Sequence, residues 1–287
     1  MTTVTPREAR RCYNAHHPVH AAYYFAPEHD AHYARLGLAP GPMAYLAGRA
    51  APLGPCTPGV VSAAFYTFHP ALVARLLPQA WRAASPERIL RTRLDIVDAC
   101  LTRLLGPQAV RSAEMAEAAE LALAAAEACA HPGRPLATAN ADLPTPAPAH
   151  LALWHATTLL REHRGAGHIS ALMSAELDGL EALVTHTATG TSWRPAFLQR
   201  TRGWSVQEWA DARARLCEKG LLGADGDLTD RGTELRRALE ADTDRLDAAP
   251  YRHLGPARTA RLTELATAFT KVVLAGGGMP LRDIGRT

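Results

Sequence analysis

Residues 204–246 constrain this chain more than any other stretch. Trp204-Ser205-Val206-Gln207-Glu208-Trp209 opens an amphipathic run that ends at Lys219-Gly220. Ser205 is placed to cap that helix, and Glu208 at its third position completes a capping box. Val206, Trp209, Ala212, Leu216 and Cys217 fall on one stripe at helical spacing. Gly220 stops the run. Asp225-Gly226 is a two-residue hairpin signal, flanked by Leu221-Leu222 on one side and Leu228 on the other. Thr229 or Asp230 then caps a second helix, with Leu235, Leu239 and Leu246 on its apolar face. The order is helix, short strand, tight turn, short strand, helix.

That order is a winged helix, a module that usually reads DNA, yet its charges argue against that use. A DNA reader places positive charge where the recognition helix and wing meet phosphates. Helix 205–219 balances Glu208, Asp211 and Glu218 against Arg213, Arg215 and Lys219. The wing tip carries Asp225 and Asp227, with no Lys or Arg between Leu221 and Thr229. Residues 205–245 hold ten acids against seven bases. Arg194, Arg200 and Arg202 lie just upstream and supply the nearest compensating charge.

The whole chain is close to neutral as well, at +3 over 287 residues, so nucleic acid or an anionic membrane surface is not implied. Apolar residues make up 47%, enough for a substantial core. Cys12, Cys56, Cys100, Cys129 and Cys217 are scattered and odd in number, which fits a reduced compartment without a disulfide framework. Arg7, Glu8, Arg10 and Arg11 stand where a signal peptide would be apolar. No stretch approaches the roughly 18 apolar residues of a membrane span. The chain reads as cytoplasmic, with no membrane partner.

Elsewhere the pattern is helical. Ser85-Pro86-Glu87 starts a helix over 85–105 that Gly106-Pro107 ends. An Ala/Glu-rich helix over 112–130 runs into His131-Pro132-Gly133. Leu151 to Arg164 is helical and is expected to stop at Gly165-Ala166-Gly167. Helices over about 168–175, 177–188 and 256–275 follow. The expected fold is all-α with a small β-wing, built from tandem winged-helix-like units of which the C-terminal one is the clearer. The Pro-rich passage around Pro144, Pro146 and Pro148 marks the boundary. The halves are then 1–143 and 149–250, followed by a C-terminal helix and tail over 251–287.

Leu216-x3-Gly220-Leu221 and Leu228-Thr229-x2-Gly232 resemble the winged helix of MarR-type regulators, over about 195–247. Longer strings carry a wider likeness. Tyr24-Phe25-Ala26-Pro27-Glu28, Gly48-Arg49-Ala50-Ala51-Pro52-Leu53-Gly54, Phe65-Tyr66-x-Phe68-x-Pro70, Leu159-Leu160-Arg161-Glu162-His163-Arg164-Gly165 and Arg202-Gly203-Trp204 resemble a family of actinobacterial helix-turn-helix proteins of unassigned biochemical role. The likeness covers about 15–255 and implies one architecture for the whole length. That family's pattern has an acid between the two glycines after Arg164, where this chain has Ala166.

Candidate chemistry lies upstream of the winged helix. On helix 148–164, Leu151, Trp154, His155, Thr158, Leu159 and Glu162 share a broad face, so His155 and Glu162 face an interior. Buried titratable groups there form either a structural network or a ligand site. Arg49 sits in an apolar stretch, and Arg93 follows Trp81 on the next helix. Both arginines are placed to neutralise Glu162 or to grip an acidic ligand. Tyr23, Tyr24, Tyr66 and Trp81 supply aromatic walls, and His168 adds a polar group. His16, His17, His20, His29 and His32 crowd the N-terminus. His16 and His20 have ligand spacing, but Pro18 is expected to interrupt the helix and no fixed His/Cys frame is present, so no metal site is assigned. There is no GxSxG, no Walker loop and no GxGxxG after a strand, and no cofactor or catalytic residue is identified.

The leading expectation is a small-molecule-binding winged-helix protein, an enzyme or resistance protein of specialised metabolism. Its pocket would lie between the halves and use Arg49, Tyr66, Trp81, Arg93, His155, Glu162 and His168. The alternative is a MarR-like, ligand-responsive regulator that dimerises with itself and contacts DNA through Arg200, Arg202, Arg213 and Arg215.

Overall fold

The structure is a computed structural model that describes residues 3–285. Fourteen α-helices form among those residues, and no strand does. Nine of the fourteen begin on proline. Proline has no N–H to lose at the first helical position, so these residues start helices rather than break them. The chain divides into two compact units.

The first unit comprises residues 3–55, 80–167 and 244–279. Its early helices are α1 (Pro6–Ala21), α2 (Pro27–Ala34) and α3 (Pro42–Ala50). They precede α4 (Pro58–Phe65) and α5 (Pro70–Ala83), and only the end of α5 belongs to this unit. Then come α6 (Pro86–Leu105), α7 (Ala113–Ala126), α8 (Pro135–Ala141) and the first part of α9 (Ala149–Ser174). Thr5 and Glu8 form a reciprocal capping box that starts α1. Cys12 and Val19 of α1 and Ile96 and Leu101 of α6 are fully buried, as are Met115 of α7 and Trp154 of α9. Each large side chain so buried stabilises the unit by roughly 1.5–3 kcal/mol.

Two sequence expectations change here. Pro18 does not interrupt α1, which runs continuously to Ala21. His16 and His20 of α1 are therefore buried, and His29 is buried on α2. Helix α9 likewise does not stop at Gly165-Ala166-Gly167 but continues to Ser174. The glycines serve close approach: a Cβ at Gly167 would lie 3.1 Å from Leu246 Cβ and 3.3 Å from Arg134 Nη1. Arg134 uses that space to donate to the His163 and Leu246 carbonyls.

The second unit comprises residues 56–79, 168–243 and 280–285. It holds α4, most of α5 and the end of α9. It continues with α10 (Gly179–Thr187), α11 (Pro195–Arg202), α12 (Val206–Glu218) and the first part of α13 (Asp230–Leu254). Helix α14 (Pro256–Ala275) returns to the first unit. Leu172, Leu183, Val184, Leu198, Trp209, Ala212, Leu216 and Leu239 build a single core. Ser205 and Glu208 form the capping box of α12, and Gly203, in the left-handed region at φ +82°, makes the turn between α11 and α12. Helix, glycine turn, helix is the order of a helix-turn-helix.

The expected β-wing is not formed as a sheet. Gly223 N–H donates to Asp227 O at 2.8 Å, Gly226 N–H donates to Gly223 O, and Asp225 Oδ1 accepts from Asp227 N–H. The turn is therefore real, but the pairing across it is one isolated bridge, Leu222 with Leu228. The reason is length. The turn takes residues 223–227 of the nine between Gly220 and Asp230, leaving two on each arm, short of the three or more residues a strand needs.

Candidate functional site

Helix α9 carries the centre of the site in the first unit. Glu162 is 3% exposed and receives a two-pronged grip from Arg49 of α3: Nε to Oε1 and Nη2 to Oε2, both 2.9 Å. Arg161, its neighbour in sequence, also donates to Glu162 Oε1. Burial pushes the Glu162 carboxyl upward, but Arg161 and Arg49 outweigh it and bring it down to about 2. Glu162 is therefore an anion at neutral pH shared by two guanidinium groups.

Arg161 keeps 18% of its side-chain surface, so this cluster reaches solvent. Half-buried aromatic and imidazole rings frame it. The Arg161 guanidinium sits 6.0 Å from the Tyr24 ring, and Tyr24 lies 4.9 Å from Tyr45 between centroids. Tyr13 stacks on His17 at 5.1 Å, and its hydroxyl is 3.2 Å from His17 Nδ1. Burial, then Arg161 and Arg164, lower His17 to about 4. Burial raises Tyr13 to about 12. At neutral pH both are uncharged.

Behind this cluster lies a second layer. Arg93 of α6 stands over Trp154 at 5.2 Å and donates to Gly48 O at 3.3 Å and Asn140 Oδ1 at 3.2 Å. It is buried, its Nε meets no partner, and it makes no ion pair among the described residues. Gly48 is required here, because a Cβ would lie 2.5 Å from Tyr33 Oη and 2.9 Å from Tyr23 Oη. His155 is buried and lowered to about 4, by burial first and Arg93 second. His20 stacks on Trp154 at 5.2 Å. Thr158 Oγ1 gives its proton to Trp154 O at 2.8 Å, so it accepts from His20 Nδ1–H. His20 Nε2 is then a buried lone pair with no donor.

A third polar group packs α9 against α13. His163 Nδ1 meets Asp247 at 3.1 Å, and Arg164 bonds Asp244 at 2.9 Å and Asp247 at 3.4 Å. The guanidinium of Arg164 is thus matched by carboxylates, unlike that of Arg93.

Of the residues expected to line a pocket, the structure joins Arg49 to Glu162 and brings Arg93 near His155. Trp81 is half-buried near the end of α5, in the same unit. Tyr66 and His168 belong to the second unit. There Tyr66 has φ +60° and donates from Oη to Leu177 O at 2.5 Å. A Cβ at Gly179 would lie 2.1 Å from the Tyr66 carbonyl oxygen, so this loop and the start of α10 pack backbone to backbone. Thr243 Oγ1 donates to Leu239 O and accepts from His168 Nδ1 at 2.9 Å. Sequence reasoning did not assign Arg161, Tyr13, His17 or Tyr45 to the site. Arg161 adjoins Glu162 and lies off the face counted by helical spacing. Its long side chain reaches back to its neighbour all the same. No group of three or more His, Cys, Asp or Glu able to hold a metal ion occurs among the described residues.

The helix-turn-helix of the second unit presents a different surface. Val206 is 75% exposed at the start of α12. The basic residues expected to face DNA have partners in their own unit. Arg215 meets Asp178 at 3.0 Å and Glu181 at 3.4 Å, and Lys219 meets Glu181 at 2.8 Å. Arg213 donates to the Asp225 carbonyl at 3.4 Å. Arg202 lies over Phe68 at 4.3 Å, and Arg200 is 5.4 Å from the Phe197 ring.

A helix-turn-helix family model matches residues 9–280, nearly the whole chain. This protein belongs to that helix-turn-helix family. No curated protein matches it, and no solved structure does. No helix among the described residues is long and apolar enough to cross a membrane.

Proposed function

We propose that this chain is a small-molecule-binding helix-turn-helix protein whose ligand site is the Arg49–Arg161–Glu162 cluster of the first unit. One observation carries this reading. Two guanidinium groups converge on one buried carboxylate, and one of them, Arg161, stays partly open to solvent beside half-buried aromatic rings. Taking charges out of water is costly, and a chain that needed only stability would do as well with apolar residues there. Buried donors aimed at a solvent-reached spot are the usual recognition elements of a small-ligand site. The unpartnered Arg93 Nε and His20 Nε2 extend the same polar lining inward.

The test has two arms. Native mass spectrometry of the purified protein looks for a co-purifying molecule, and a thermal-shift screen looks for stabilising compounds. We expect a bound species or a shift that disappears when Arg49 and Glu162 are both replaced by Ala, with helical content retained. Removing both members of the pair leaves neither one stranded by the other's loss. Neither a bound molecule nor any shift sinks the reading, and so does unchanged binding in the double variant.

A second reading, a DNA-binding regulator, is supported by family membership and by the α11–α12 geometry. It would engage DNA as a homodimer through Arg200, Arg202, Arg213 and Arg215. Arg215 must then exchange its carboxylates for phosphates, so binding is expected to be weak and steeply salt-dependent. A gel shift on the DNA upstream of its own coding region decides this. No complex at low salt removes the reading, as does a complex unaffected by Arg200→Ala together with Arg202→Ala.

A further inference from the structure

Resting on the ligand-site reading above, the charges and rings of the first unit also define what kind of molecule would fit. Arg49 and Arg161 bring two positive charges to Glu162, which supplies one negative charge. The other titratable groups facing Arg161 add none at neutral pH. His17 and His20 are held neutral by burial and by the arginines, and Tyr13 and Tyr24 are held protonated by burial. Arg164, which also faces Tyr13, is matched by Asp244 and Asp247. On the side that reaches solvent the cluster therefore carries a surplus of one positive charge; the charge of Arg93 lies inside, held on Gly48 O and Asn140 Oδ1.

Geometry adds the shape. Arg49 spends Nε and Nη2 on Glu162, while Arg161 contacts Glu162 through Nη1 alone. Arg161 thus keeps most of its five N–H donors, in a planar fork that matches a carboxylate. It lies against Tyr24, which is tilted on Tyr45, and Tyr13, half-buried like both of them, stacks with His17. Flat π-faces next to a cationic fork favour a flat ring beside an anion.

We infer that the site binds a planar aromatic monocarboxylate, its carboxylate on the Arg161 guanidinium and its ring among Tyr13, Tyr24 and Tyr45. A cation is repelled by the surplus charge. A neutral ring leaves that charge unmatched. A dianionic phosphate brings one negative charge more than the surplus.

The probes are 2-naphthoate, its amide 2-naphthamide, the cation 2-naphthylmethylamine and the dianion 2-naphthyl phosphate, titrated calorimetrically into the full chain. The expected result is naphthoate binding at least ten-fold tighter than each of the others. Arg161→Gln should weaken naphthoate ten-fold or more, weaken the amide by much less and keep the far-ultraviolet dichroism. It should fold, because Arg49 still holds both oxygens of Glu162. Arg161→Lys, which keeps the charge but not the fork, should fall between. Equal or tighter binding of the amide, amine or phosphate overturns the ligand class, and so does naphthoate affinity unaffected by Arg161→Gln, or no binding by any of the four. The two readings fail separately. A co-purified neutral or cationic molecule removes the class and leaves the ligand site standing, whereas no bound species and no thermal shift from any compound removes both.

Discussion

The two units place the cations around a buried carboxylate differently. In the first, guanidinium groups are drawn inside: Glu162 is 3% exposed and Arg49 10%, and Arg93 is buried with no carboxylate. In the second, Glu181 of α10 is 3% exposed but the cations that reach it stay outside, Arg215 at 45% and Lys219 at 41%; Arg236 is the exception there, buried with Nε and Nη1 unpartnered. Exposed pairs are screened by water and contribute little, so they tell little about function. Buried, imperfectly matched charge is expensive and persists only where the surroundings hold it. The contrast moves attention from the helix-turn-helix to the first unit.

Removing one partner from each kind of pair tests the contrast most sharply. Glu162→Ala leaves two guanidinium groups facing each other in the first unit, and should cost about 3–5 kcal/mol in chemical denaturation. A loss below about 1 kcal/mol would mean that the cluster is far wetter than its burial indicates.

Acid should separate the units next. His16, His17 and His155, all in the first unit, are lowered to about 3, 4 and 4. Each is a base whose folded value lies below its ordinary 6.5, so the unfolded chain takes up protons first as pH falls. Their stabilisation is complete above about 6.5 and is lost progressively toward 4 and then 3. At pH 5 this amounts to roughly 1–2 kcal/mol for each histidine. In the second unit His186 is lowered to about 4, by burial first. Hydrogen exchange at pH 7 and pH 5 should show amides of α1 and α6 losing more protection than those of α10 and α12. Equal losses would remove the distinction.

The smallest effect is expected from Arg215→Ala, which breaks the exposed pair with Asp178 and leaves Lys219 on Glu181, and should shift stability by about 0.2–1 kcal/mol. A loss of several kcal/mol would show that α12 and α10 depend on that pair, and the second unit would then resemble the first.

The helices over 86–105, 206–218 and 256–275 could be read from the chain, because their signals are local. Ser85, Ser205 and the flanking glycines and prolines announce where helices begin and end. The Arg49–Glu162 pairing was legible only in part. Two arginines and an acid in apolar helices pointed to one another, but the same pattern left Arg93 equally eligible. In the structure Arg93 turns to Gly48 O and Asn140 instead. Asn140 had no signal, since an Asn in an Ala-rich helix looks like any surface residue.

What the sequence determined by itself is therefore local: helix class, most helix ends and the balanced charge of helix 205–219. Tertiary structure decided where local rules conflict. Pro18 and Gly165-Ala166-Gly167 are helix breakers by propensity, yet α1 and α9 run through them because packing outweighs a penalty of about 1 kcal/mol for Gly and about 3 kcal/mol for Pro. It also decided that residues 56–79 join the helix-turn-helix and that Arg161 turns onto Glu162. Burial and charge pairing depend on segments far apart in the chain, and no spacing along a single helix records them.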